Sequence, residues 1–219
     1  QQFHRVIREL TGNDDPYHEV KQRFNRQAME MYPVLKKRIE QSGAPFDTAV
    51  RLAIAGNLID FGVNGDLKEY EVTQAVESAF DAEVMGSMAD LPGKVEKANE
   101  ILYLADNCGE IVFDRLLIEM LPLGKVVLGV RGRPILNDVT REDAEMVGLT
   151  DLVKVIDNGS DAPGTILEDC SAEFLEHFEK ADFVIAKGQG NYETLNHVDK
   201  PIYFLMKAKC PIIAQDVGH

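Results

Sequence analysis

The chain has 219 residues, 37 acidic against 23 basic, for a formal net charge of -14, which disfavours nucleic acid as a main partner because phosphate-backbone binding depends on clustered Lys and Arg. At 45% hydrophobic and 27% charged it has a globular rather than a disordered composition. No apolar run approaches the roughly 18 residues of a membrane span, so no membrane partner is expected.

Helical patterning comes first along the chain. From Tyr17 to Ser42, Val20, Phe24, Ala28, Met31, Leu35 and Ile39 recur at the spacing of three or four that makes one helix face. Pro33 is expected to kink or divide this helix and Gly43 to end it. Asp47 offers an N-cap for a second helix running to about Phe61, and Thr73 for a short one from Gln74 to Phe80. A polar segment at Leu91–Glu100, opening with Pro92-Gly93, marks the boundary between a helical part, residues 1–98, and a second part, residues 99–219. There, β-type runs at Ile101–Ala105, Lys125–Val130, Leu152–Ile156, Phe183–Ala186 and Pro211–Ala214 alternate with helical stretches at Ile111–Leu121, Arg141–Val147 and Ala172–Lys180. Continuous apolar strands alternating with helices predict α/β architecture, a parallel sheet with helices on both faces.

In such a sheet, ligands bind beyond the carboxyl ends of the strands. After the first strand stand Asp106, Asn107, Cys108 and Gly109; after the second, Arg131, Gly132, Arg133, then Asn137 and Asp138; after the third, Asp157, Asn158, Gly159, Ser160 and Asp161; after the fourth, Lys187, Gly188, Gln189, Gly190 and Asn191. Asp, Asn and Gly also cap helices and make turns, but all four ends repeat the pattern. Two carboxylates and an amide oxygen from Asp106, Asn107 and Asp138 suit a hard divalent cation. Lys187 offers a point charge for a phosphoryl oxygen, or is simply a charge ending a strand, and the glycines after it let backbone approach closely.

The stretch Leu52–Phe61, LAIAGNLIDF, is apolar nearly all round and so buried, yet holds Asn57 and Asp60 three apart on one face. Burying an unpaired carboxylate costs several kcal/mol, so the two either pair structurally, for instance with Arg51, or line the opposing wall of a cleft. The five histidines fall in no ligating pattern, and Cys108 has no evident base to make it a nucleophile. Three cysteines without paired spacing imply neither a disulfide framework nor a zinc cage, hence a cytoplasmic setting. The chain opens at Gln1 and closes at His219, and truncation at both ends is expected.

The stretches RELTGNDDPY, AIAGNLIDFG, ILYLADNCGEIVFD, VRGRPILNDVT, IDNGSDAPGT, KGQGNYETL and KAKCPIIAQD, spanning nearly the whole chain in order, resemble the damage-control phosphatase family, also known as domain of unknown function 89, in its compact prokaryotic branch. That resemblance implies metal-dependent phosphatases with a helical N-terminal part and a Rossmann-like α/β part. It implies a metal triad at Asp106, Asn107 and Asp138, a substrate-phosphate element at Lys187, Gly188, Asn191 and Tyr192, and a further site element at Gly56, Asn57 and Asp60. The C-x-x-C segment common in this branch is missing.

The expected activity is hydrolysis of small phosphorylated metabolites, sugar phosphates or related phosphomonoesters, with Mn²⁺, Ni²⁺, Co²⁺ or Mg²⁺ as cofactor. Asp106, Asp60 and Lys187 are the expected catalytic residues; Gly56, Asn57, Asp60, Arg131, Lys187, Gly188 and Asn191 the expected substrate-binding ones. The attacking group is a water oriented by a carboxylate such as Asp60 or Asp138, or Asp106 itself. An S-adenosylmethionine-dependent methyltransferase and a non-catalytic metal or phospho-metabolite binding protein are the alternatives. Oligomeric state stays open.

Overall fold

A computed structural model describes residues 12–56, 88–207 and 211–216, with isolated positions at 6, 10, 74, 77, 78 and 84. Helices α1 (His18–Glu40) and α2 (Pro45–Gly56) form the N-terminal part. After α3 (Leu91–Lys97) come β1 (Ile101–Leu104), α4 (Glu110–Ile118), β2 (Val126–Val130), α5 (Arg141–Met146), β3 (Lys154–Asp157), α6 (Ala172–Lys180), β4 (Phe183–Lys187), α7 (Gly188–Leu195), β5 (Ile202–Leu205) and α8 (Pro211–Asp216).

All strands run parallel in the order β3-β2-β1-β4-β5. The order reverses between β1 and β4, and the crevice beyond their carboxyl ends is where such sheets bind ligands. The central strands are apolar throughout because both faces are covered. Ile101 and Tyr103 face a cluster containing Phe24, Leu35, Leu52 and Phe113, whereas Leu102 and Leu104 face Phe174, Phe178 and Leu195. One buried cluster thus joins α1, α2 and α4 to the sheet.

Four expectations need correction. Pro33 does not divide α1, which runs unbroken through it; the residue lies on the exposed face, where a carbonyl left without its helical partner can take water. Asp47 sits inside the first turn of α2 and pairs with Arg51 at 2.8 Å instead of capping. Residues 91–97 form a helix that buries Leu91 and Val95. The run Pro211–Ala214 is helical, and the fifth strand is Ile202–Leu205. A short apolar run has no periodicity to separate strand from helix; Pro211 at the first helical position and the aromatic residues of IYFL decide the two cases. The expected helix at Gln74–Phe80 lies largely outside the described residues.

Candidate functional site

Loops after β1 and β2 are zipped together. Asn107 and Asp138 form an antiparallel bridge, Cys108 N–H donates to the Asn137 carbonyl at 2.8 Å, and Val139 N–H to the Asp106 carbonyl at 2.9 Å. Asp106, Asn107 and Asp138, distant in sequence, therefore occupy one edge. Gly188 at the start of α7 closes it from β4: its φ is +77°, and a Cβ there would overlap the Asp106 carboxylate. Only glycine meets both conditions.

Arg131 spans this edge. Its Nε donates to Asp138 Oδ2 at 2.7 Å, one terminal nitrogen reaches Thr165 Oγ1 at 3.3 Å, and the other lies 3.4 Å from Asn191 Oδ1 and 3.8 Å from Asp106 Oδ1. Asn191 is wholly buried; its Nδ2 donates to the carbonyls of Lys187 and Ala105, and its Oδ1 also accepts from Thr165. Asn107 Nδ2 donates to Asp106 Oδ2 at 2.6 Å, with Glu110 Oε2 at 3.4 Å.

Lys187 is brought to the same strand edge, but its ammonium turns inward. Wholly buried, it donates to the Ala53 carbonyl at 2.8 Å, Glu110 Oε1 at 2.5 Å and Asp114 Oδ1 at 2.6 Å. An ammonium has three protons, and these contacts use all of them. Tyr103 also donates to Asp114 Oδ1 at 2.8 Å, while Asp114 Oδ2 is buried with no hydrogen-bond partner among the described residues. On the other side of the loop, Asn25 of α1 accepts the Gly109 N–H at 2.7 Å and donates to Asp143, which pairs with the buried Lys21 at 3.0 Å.

Burial dominates the electrostatics. It pushes the Asp106 carboxyl well above its ordinary range, the charges of Glu110 and Asp138 push it further, and Arg131 and Lys187 oppose them. Asp138 is raised by burial against the pull of Arg131. Asp114 is pushed up to about 6, again mainly by burial. Burial works to lower Lys187, but Asp114 and Glu110 outweigh it and hold the ammonium above its usual value. Four buried carboxylates, Asp106, Glu110, Asp114 and Asp138, face two buried cations, Arg131 and Lys187. When all are ionised, this group carries two negative charges in excess.

Of the residues expected from the sequence, Asp106, Asn107, Asp138, Arg131, Lys187, Gly188 and Asn191 converge on this edge, and Gly56, at the end of α2, packs against Phe113 and Glu110. Asn57 and Asp60 lie outside the described residues. Cys108 is buried, and its thiol is pushed well above its ordinary range by burial and by Asp143, which disfavours the thiolate a nucleophile needs. Sequence reasoning missed Glu110 and Asp114, four apart in the otherwise apolar EIVFDRLLI, although the logic applied to Asn57 and Asp60 would have found them. It also missed Asn25 and Lys21, polar positions on the buried stripe of α1.

The whole chain, residues 1–219, matches the family described as the damage-control phosphatase ARMT1-like domain. It is 40% identical to a damage-control phosphatase of Pyrococcus horikoshii, over 94% of this chain and 72% of the relative. A damage-control phosphatase of Archaeoglobus fulgidus is 36% identical over 99% of this chain and 76% of its own, and an uncharacterised protein of Methanocaldococcus jannaschii is 40% identical over 98% and 74%. The crystal structure of a Pyrococcus horikoshii protein of the DUF89 family superposes with a TM-score of 0.87 at 38% identity, covering 97% of this chain and 74% of that one.

Proposed function

The chain belongs to the damage-control phosphatase family and is a phosphatase acting in metabolite damage control; from that premise we propose that it hydrolyses small phosphomonoesters, sugar phosphates or their relatives, with a divalent metal ion at the edge between β1 and β4. The observation that carries the metal reading is the buried charge imbalance: four carboxylates against two cations, with Asp106 raised partly by Glu110 and Asp138. The donor chemistry agrees. Asp106 and Asp138 supply hard oxygens, and Asn107 Oδ1 accepts no hydrogen bond among the described residues while Nδ2 is engaged. These three residues would hold Mn²⁺, Ni²⁺, Co²⁺ or Mg²⁺, and the ion when bound supplies Lewis-acid polarisation of the phosphoryl group.

The chain's own residues do the positioning. The first turn of α7 opens at Gly188 with no side chain capping it, which favours a phosphoryl oxygen by its free N–H groups and helix dipole. Arg131 keeps Asp138 turned toward the edge through its 2.7 Å bond. Asp106 Oδ2 is already held by Asn107, which supports a ligand's role for it and water as the attacking group, oriented by Asp60 or Asp138. Residues 99–219 carry the metal ligands in this view, and residues 1–98 hold them in place through Asn25 and the Ala53 carbonyl and supply Asp60. Relatives named phosphatases along nearly the whole chain favour this reading over a methyltransferase.

The test is phosphate release from p-nitrophenyl phosphate and a panel of sugar phosphates with each of Mn²⁺, Ni²⁺, Co²⁺ and Mg²⁺, and with chelator. Activity is expected with metal only and is expected to disappear in Asp106→Ala and Asp138→Ala. Full activity in both variants, or in chelator, overturns the proposal.

A further inference from the structure

On the strength of the divalent-ion reading above, we infer that Glu110, held by Lys187, is a positioning residue that sets which end of the Asn107 amide faces the cation. A carboxamide has two ends of similar shape and opposite chemistry: Nδ2 only donates, and Oδ1 only accepts. Only the oxygen can ligate a hard cation. In this structure the nitrogen end lies between two carboxylates, Asp106 Oδ2 at 2.6 Å and Glu110 Oε2 at 3.4 Å. Turning the amide over would set Oδ1 against both of them, oxygen on oxygen, and would leave the NH₂ group where the cation binds. Asp106 alone is a poor guide to this choice, because as a ligand it gives oxygen density to the ion. Glu110 is the second acceptor, through Oε2, while its Oε1 is taken by Lys187.

Glu110 is itself fixed. Its other oxygen, Oε1, takes a proton of Lys187 at 2.5 Å, and Lys187 is anchored in turn by Asp114 and by the Ala53 carbonyl of α2. The glutamate is 1% exposed and Lys187 is 0% exposed, so both are packed inside the protein. The chain of contacts Ala53, Lys187, Glu110, Asn107 therefore runs from the helical part to the amide. Lys187 acts through Glu110 in this scheme, because its three protons are used inside the protein.

A charge at position 110 would also attract a cation from a distance, so the experiment separates orientation from charge. Mn²⁺ binding is measured by the loss of the free-ion electron paramagnetic resonance signal, with folding checked by circular dichroism, for wild type, Glu110→Gln, Glu110→Asp, Asn107→Asp and the double variant Asn107→Asp/Glu110→Gln. Removing a partner that orients a ligand typically weakens metal affinity by about ten- to a hundredfold. That loss is expected for Glu110→Gln, and also for Glu110→Asp, which keeps the charge but draws the carboxylate back. With Asp at 107 both ends of the side chain are oxygens and there is nothing to orient, so Glu110→Gln should then cost no affinity. The same fold-loss in both backgrounds, or undiminished binding in Glu110→Gln, overturns the assignment. A wild-type protein that binds no Mn²⁺ would instead overturn the divalent-ion reading itself, and the role of Glu110 with it.

Discussion

Replacing Gly188 by alanine isolates the closest approach in the site. The methyl carbon would meet Asp106 Oδ2, Cγ and Cβ, the last at 2.9 Å and the other two well inside the 3.0 Å that real Cβ atoms keep. Asp106 must therefore shift by about 1 Å, and a misplacement of that size in a reacting constellation costs about a hundredfold in rate. The backbone adds its own penalty: alanine at φ +77° pays about 1–2 kcal/mol, equivalent to a melting-temperature drop of about 2–8 °C for a chain of this size. Gly148→Ala is the control. Its φ is +73°, so the backbone cost is the same, but its Cβ would meet only the end of the Arg115 side chain at 3.1 Å. Measured by p-nitrophenyl phosphate turnover and thermal unfolding, Gly188→Ala should lose about a hundredfold in kcat and Gly148→Ala almost none, with the lower melting temperature in Gly188→Ala because of the added overlap with Asp106. A Gly188→Ala enzyme with the wild-type kcat would show that Asp106 is not a reacting group's ligand.

Two further outcomes follow from the buried network. Asp114 titrates at about 6 in the folded chain against 3.8 ordinarily; the folded state thus holds a proton that the unfolded state has released, and this group's contribution to stability, complete below about pH 3.8, falls by about 3 kcal/mol as pH rises to about 6. Thermal unfolding of the metal-free protein across that window should show a shallower pH dependence in Asp114→Asn than in wild type, and an identical slope would refute the assignment. Asn25→Ala removes the acceptor for the Gly109 N–H and a donor to Asp143, costing about 1–3 kcal/mol for buried groups left unpaired; unchanged melting temperature and unchanged Mn²⁺ affinity would show that α1 does not hold the loop.

The strand-end rule accounts for what was legible. Asp106, Asn107, Arg131, Asp138, Lys187 and Asn191 all follow apolar runs that became strands, and a parallel sheet carries such positions to one edge whatever the strand order. Where their side chains turn was not legible. Lys187 reads as a free charge in sequence because its partners are Glu110, Asp114 and the backbone of Ala53, separated from it by 73 to 134 positions. Asn191 likewise reads as a loop residue, but the glycines before it open a helix, and its buried amide ties β1 to β4. The fifth strand falls elsewhere than expected for a local reason: IYFL and PIIA are both short apolar runs without periodicity, and the aromatic residues of the first and Pro211 of the second are weak signals until pairing with β4 settles the strand.

The acidic composition bears on how a phosphate ester reaches this edge at all. A chain at -14 repels an anion at long range, although salt confines that repulsion to about 8 Å at physiological strength. The two buried cations Arg131 and Lys187 do little to offset it, because Arg131 is bound to Asp138 and Lys187 to Glu110 and Asp114. Their charge is used internally, where it opposes the rise that burial imposes on Asp138 and Asp114. On the proposed reading, attraction for a phosphoryl group comes from the uncapped start of α7 and from a divalent ion held by Asp106, Asn107 and Asp138. On that reading substrate affinity depends on the ion more than on Arg131 or Lys187, which is one way a strongly acidic protein can act on anions.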